Sequence, residues 1–123
     1  MAIHAPVPIL RMFDVVRTRD FYIGYLGFRI QFEHRFEPTL PLYMGIRRDR
    51  CELHLSEHHG DATPGSALRI EVDDIDGLNA ELAAKGYGFA RPRIEPRPWG
   101  TREMTITDPS GNRITFAAVE TQK

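Results

Sequence analysis

The chain has 123 residues, 41% of them hydrophobic, and its formal net charge is −1. That length supports one domain with one core, and the balanced charge gives no electrostatic pull toward nucleic acid or a membrane surface. A single cysteine, Cys51, excludes an intramolecular disulfide, so a cytoplasmic setting is expected.

The start, Met1-Ala2-Ile3-His4-Ala5-Pro6, has neither a basic n-region nor an apolar h-region, so no signal peptide is expected. Val7 to Met12 reads as a short strand, with Pro8 confined to its start or to an edge because it lacks an N–H. Asp14 is placed to cap a helix over about Val15 to Leu26, whose apolar face carries Phe21, Tyr22, Tyr25 and Leu26. Gly27 ends that helix. Phe28 to Glu33 alternates cleanly as a strand. Leu40 to Ile46 is a further strand, and Arg47 to Arg50 a charged turn. In the strand Cys51 to Ser56, Leu53 and Leu55 share one face, with Glu52, His54 and Ser56 on the other. His58 to Ser66 has no periodicity and reads as a connector.

The second half begins with the strand Ala67 to Val72. Asp73 or Asp74 caps a helix over about Ile75 to Lys85, which Gly86 closes. Tyr87 to Ile94 reads as mostly extended and Glu95 to Pro98 as a stiff loop. Strands at Met104 to Thr107 and Ile114 to Ala117 flank Asp108-Pro109-Ser110-Gly111-Asn112, a run of turn formers. Trp99, the only tryptophan, lies between Pro98 and Gly100. That context argues for an irregular, partly exposed position, where ligand contact competes with simple packing.

The halves repeat. Leu26-Gly27-Phe28 matches Lys85-Gly86-Tyr87, Met44 and Ile46 match Met104 and Ile106, and Leu53-His54-Leu55 matches Ile114-Thr115-Phe116. The expected fold is therefore α+β: a single domain over 1–123 made of two βαβββ modules, about 6–57 and 67–119, joined by a connector at about 58–66. Their curved sheet would carry a groove-facing set including Ile9, Glu52, His54, Arg69, Glu71 and Thr115. Unpaired charges cannot form a dry core, so that surface is expected to be a wet cavity or an interface.

The repeat, Phe21-Tyr22…Leu26-Gly27-Phe28, Glu71-Val72-Asp73-Asp74 and Asp108-Pro109-Ser110-Gly111-Asn112 together resemble the vicinal-oxygen-chelate superfamily of glyoxalases, extradiol dioxygenases and antibiotic-resistance proteins. Pro98-Trp99-Gly100 followed by Arg102-Glu103 is most similar to the bleomycin-resistance branch. The resemblance implies a homodimer that binds an antibiotic in grooves at the dimer interface, with the tryptophan of this motif stacking on the ligand. It also locates the places where the superfamily's enzymes hold a divalent metal: near Val7, His54, Ala67 and Thr115. Only one of these is a good ligand, and catalytic sites typically use about three. No metal and no cofactor are therefore expected.

The expected ligand-binding set is Trp99, with Phe32, Phe36 and Tyr43 at the rim, His54 in the groove, Asp61 in the connector, and Gly100 and Arg102 of the tryptophan motif. No catalytic residue is assigned. The function expected is sequestration of an aromatic or glycopeptide natural product. The alternatives are a glyoxalase- or dioxygenase-type enzyme acting on a small metabolite, and an accessory domain whose groove its own side chains fill.

Overall fold

The computed structural model describes residues 1–120; the last three positions of the expected domain lie outside the described residues. The first module runs β1 (Ile9–Arg11), α1 (Val15–Arg19), β2 (Arg29–His34), β3 (Tyr43–Arg48) and β4 (Cys51–Ser56). The second runs β5 (Ala67–Glu71), α2 (Ile75–Ala84), β6 (Glu95–Pro96), β7 (Thr101–Thr107) and β8 (Arg113–Val119). Each module forms its own four-stranded mixed sheet, in the orders β1-β4-β3-β2 and β5-β8-β7-β6. In both, the first strand pairs parallel with the last and the other pairs are antiparallel. No helix among the described residues is long and apolar enough to cross a membrane.

Local chemistry explains the element ends. Asp14 accepts from the Arg17 N–H and Asp74 from the Gly77 N–H, so each helix starts on a carboxylate cap. Gly27 and Gly86 take φ of 73° and 63°, the left-handed conformation that ends a helix and that a side chain disfavours. After Arg19 the first helix widens into a π-helix over Asp20–Tyr25, and the Leu26 N–H reaches back to the Phe21 carbonyl. Phe21, Tyr22, Tyr25 and Leu26 are all buried there.

Three stretches differ from expectation. Arg47 and Arg48, expected in a charged turn, are the last residues of β3, paired with Glu52 and Cys51. Tyr87 to Ile94 forms no strand, and the ladder instead takes in Glu95 and Pro96, opposite Glu103 and Arg102. The latter is an edge position, where a proline costs no internal hydrogen bond. The alternation read into β2 is also broken. The register slips between Ile30 and Phe32, leaving Gln31 unpaired.

The inner faces of both sheets share one core. Met44, Ile46, Leu53 and Leu55 from one module and Met104, Ile106, Ile114 and Phe116 from the other belong to the same buried cluster. Tyr25 stacks on Tyr87 across the modules, centroids 4.5 Å apart. Arg48 forks onto Glu81 of α2 at 2.7 and 2.8 Å while also donating to the Leu26 carbonyl.

The deepest tie is polar. The buried Asp108 carboxylate accepts from the Tyr22 hydroxyl at 2.6 Å, from the backbone N–H of Ser110 and Asn112, and from Asn112 Nδ2. Asn112, fully buried, also donates to the Arg11 carbonyl and accepts from the Ser66 N–H. Burial, then the Asp108 charge, push the Tyr22 phenol well above its ordinary range, so it stays a donor. Replacing Asp108 with alanine strands a buried hydroxyl and a buried amide. The expected loss is about 3 kcal/mol, against about 1 kcal/mol for Tyr22→Phe. Urea unfolding checks this; equal, small losses in the two variants would show that the turn does not hold the modules together.

Candidate functional site

Because both inner faces are used in the core, the outer faces of the two sheets point away from it. They carry different chemistry. On the first sheet the cross-strand register aligns Phe32, Gly45, His54 and Ile9 in one row, with His34, Tyr43, Ser56 and Arg11 in the next. Phe32 lies parallel to Tyr43 (12°, centroids 6.2 Å apart) and edge-on to His54. It can do so because it covers a glycine: a Cβ at Gly45 would sit 2.2 Å from the Phe32 ring. The result is an aromatic plate on an open sheet, with Phe32 40% exposed.

His54 joins this plate to a hydrogen-bond chain. Its Nε2 is 2.9 Å from Glu52 and its Nδ1 is 2.7 Å from the Tyr43 hydroxyl. When the imidazole is neutral, an ionised Glu52, which can only accept, places its one proton on Nε2. Nδ1 then accepts, and Tyr43 must spend its O–H on it. Burial, then Asp61, raise the Tyr43 pKa, so that proton is held. Tyr43 therefore offers a guest lone pairs only.

On the second sheet the organising group is Glu103. Its Oε2 accepts from Trp99 Nε1 at 2.9 Å and from Thr101 Oγ1 at 2.6 Å, and it pairs with Arg69 at 2.7 Å. Arg97 is 3.7 Å from the other oxygen. Those bonds, led by Arg69, pull the Glu103 carboxyl down to about 2. The turn Arg97–Gly100 presents the indole, closed by the bond from Gly100 N–H to the Arg97 carbonyl and by Gly100 at φ 91°. Trp99 is thus fixed through its N–H while the residue as a whole stays 65% exposed.

The expected site residues fall into three groups. Phe32, Tyr43 and His54 come together on the first face, with Asp61 at its margin, where the Ser56 hydroxyl donates to Asp61 at 2.6 Å. Phe36 is 76% exposed and touches His34, beyond the plate. Trp99 and Gly100 lie on the second module, and among the described residues no aromatic contact links Trp99 to the plate. The structure does not bring Arg102 to either face. It points with Met104 toward the core side and forks onto Asp76 of α2 at 2.7 and 2.9 Å. Strand parity is the reason: Thr101, Glu103 and Thr105 take the open side. Gly45, Thr101 and Arg97 shape the faces without having been singled out.

The superfamily's metal positions do not fit an ion. The first-strand residue facing His54 is Ile9, not Val7, and the one facing Thr115 is the cationic Arg69, not Ala67; the Thr115 hydroxyl is bonded to that of Thr105. Among the described residues no group of three or more His, Cys, Asp or Glu could hold a metal. A separate cleft of about 1040 Å³ runs between the β3–β4 turn and α2, floored by Phe28 and Val72 and spanned by the Arg48–Glu81 pair.

A family model described as "Glyoxalase superfamily protein" matches residues 1–122. The chain belongs to the glyoxalase superfamily. It is similar to the bleomycin-binding protein of Streptomyces verticillus, solved with copper(II)-bleomycin, at 34% identity over 98% of this chain and 99% of that one, TM-score 0.70. The bleomycin resistance determinant encoded on the transposon Tn5 aligns at 22% identity over 97% and 100%, TM-score 0.76. TnmS3, an antibiotic-binding protein from Streptomyces sp. CB03234, aligns at 22% over 98% and 99%, TM-score 0.70. The last two likenesses speak to fold alone. No curated protein matches the chain. The superfamily fold of two βαβββ modules is the one expected from the repeat.

Two outcomes follow from the faces. Glu103 is lowered from 4.5 to about 2, so the unfolded chain binds more protons than the folded one between those values. Its contribution is present above about pH 4.5 and is lost as pH falls toward 2. The wild type should therefore lose stability more steeply across that window than Glu103→Gln; parallel pH profiles would contradict the assignment. Gly45→Ala drives the Phe32 ring off the sheet into solvent. Because that ring is free to swing, the stability cost should stay below about 1 kcal/mol, while the nuclear Overhauser contacts between Phe32 and Tyr43 disappear.

Proposed function

We propose that this protein binds and sequesters a planar natural-product antibiotic, of the bleomycin type or related to it, and confers resistance by lowering its free concentration. The observation that carries the reading is Trp99: a large ring held at one edge by Glu103 and left bare on its face. A pre-oriented aromatic surface binds a flat guest at little entropic cost. The 34% identity to a protein solved with copper(II)-bleomycin supports the ligand class.

One chain supplies only half of a groove. Ile9, Phe32 and Val119 remain exposed on its open faces, and such surfaces call for a partner. We read the working form as a cytoplasmic homodimer in which the aromatic plate of one copy faces the Trp99 face of the other. The ligand-binding set is then Trp99 and Gly100 with Phe32, Tyr43, His54 and Asp61, with Phe36 beside the entrance. No resident metal, cofactor, nucleic acid or membrane is part of this reading.

Titration with metal-free bleomycin, copper(II)-bleomycin and other aromatic antibiotics should quench Trp99 fluorescence for at least one of them. Trp99→Leu should weaken that ligand about tenfold by calorimetry. Sedimentation should give a dimer. Silence of Trp99 toward the whole panel would remove the sequestration reading.

A glyoxalase-type enzyme is the second reading, and the Glu52–His54–Tyr43 chain favours it, since it resembles an oriented acid–base relay. Stoichiometric divalent metal in untagged protein, lost in His54→Ala, would establish it over sequestration.

A further inference from the structure

The geometry points to an anion subsite at the end of the aromatic plate, formed by Arg29 and Arg47, which makes the preferred guest a planar aromatic carrying a carboxylate, sulfonate or phosphate. This rests on reading the first open face as half of the ligand groove.

The arginines are directly opposite each other on β2 and β3. Like charges in that position repel unless an anion lies between them. Arg29 is exposed and makes no ion pair or side-chain hydrogen bond among the described residues. Arg47 gives Nε to the Asp49 carbonyl and lies 3.8 Å from Oε1 of Glu52, its partner on β4, a longer and weaker contact than the 2.9 Å bond that the other Glu52 oxygen makes to His54. Arg48, by contrast, is fully committed to Glu81 and the Leu26 carbonyl. A cleft of about 480 Å³ opens here, lined by Gly27, Arg29, Gln31, Arg47, Arg48 and Asp49. The Asp49 carboxylate is the one acid on that lining, and with Arg48 neutralised by Glu81 it stands against the two guanidinium groups of Arg29 and Arg47.

What aims this pair at the plate is the bulge. Arg47 and Gly45 are two residues apart on β3 and share a face. Their partners, Arg29 and Phe32, are three apart on β2, and in a regular strand they would face opposite ways. The irregularity between Ile30 and Phe32 absorbs the extra residue and returns both to the open side, the re-aiming that bulges perform. The backbone positions of the two arginines then sit one same-face step, about 7 Å, from the Phe32–Gly45 row. Guanidinium forks suit planar oxyanions. At the other end of the plate Tyr43 offers only lone pairs, so the face reads a guest with an anion at one end and a donor at the other.

The test uses 2-naphthoate and its neutral counterpart 2-naphthamide as probes, on the full chain and on Arg29→Gln and Arg47→Gln, both surface changes whose folding circular dichroism verifies. Affinity is read from the Gly45 and Trp99 amide shifts. The acid should bind the wild type about five- to tenfold tighter than the amide at low salt. That preference should vanish in each variant with amide affinity unchanged, and inorganic phosphate should compete with the acid only. Equal binding of acid and amide by the wild type overturns the anion subsite and leaves the groove reading standing. A preference that survives both substitutions also overturns it, as does dissociation of a dimer by Arg47→Gln, which would assign the arginines to a contact between copies. Silence of both resonances toward both probes removes the groove reading and this inference together.

Discussion

The buried Asp108–Asn112 turn sets what the rest of the molecule can do. It belongs to the β7–β8 hairpin of the second module, yet its side chains satisfy Tyr22 and the Arg11 carbonyl of the first. A carboxylate and an amide this deep are tolerated only when every partner is in place. They therefore specify one relative placement of the two modules, with the helix-covered faces inward. Once that placement is set, the outer faces must point outward, and a single chain cannot bring Trp99 to the aromatic plate.

The two outer faces manage polarity in opposite ways. The Trp99 face buries a carboxylate among its partners: Glu103 is nearly inaccessible and surrounded by donors, with Arg69 as its counter-ion. The plate face is mostly apolar at its centre, with Ile9, Phe32 and Tyr43, and carries the facing arginines Arg29 and Arg47 at one end, where Glu52 reaches Arg47 at 3.8 Å.

Much of the fold was legible because it rests on local chemistry. Gly27 and Gly86 end the helices as a residue free to take positive φ does, and Asp14 caps from a position its short side chain dictates. The exposure of Trp99 followed from the proline and glycine around it. The side taken by Arg102 was legible too: it shares parity with the buried Met104 and Ile106, so a residue grouped with the tryptophan by motif was separable from it by the pleat. The bulge in β2 was not legible. Phe28 to Glu33 alternates well enough for a regular strand, and nothing local marks Gln31 as the extra residue. The cue lies across the sheet, in Gly45, which leaves room for a ring that only tertiary pairing brings there. Glu95 and Pro96 joined the ladder for the same nonlocal reason.

The internal repeat separates what the fold requires from what the site requires. Structurally matched inner positions hold like residues: Met44 and Met104, Ile46 and Ile106, Leu53 and Ile114, Leu55 and Phe116, all buried. Matched outer positions hold unlike ones: Ile9 and Arg69, Tyr43 and Glu103, Gly45 and Thr105, His54 and Thr115, paired by the same register in each sheet. Packing in a dense core penalises changes of volume, so inner residues stay similar whichever module they serve. Outer residues meet no such limit, and their divergence must come from different work. A repeat whose cores agree and whose faces differ is built to present two distinct surfaces. A guest that used only one would leave the other without a physical reason for its exposed aromatic ring.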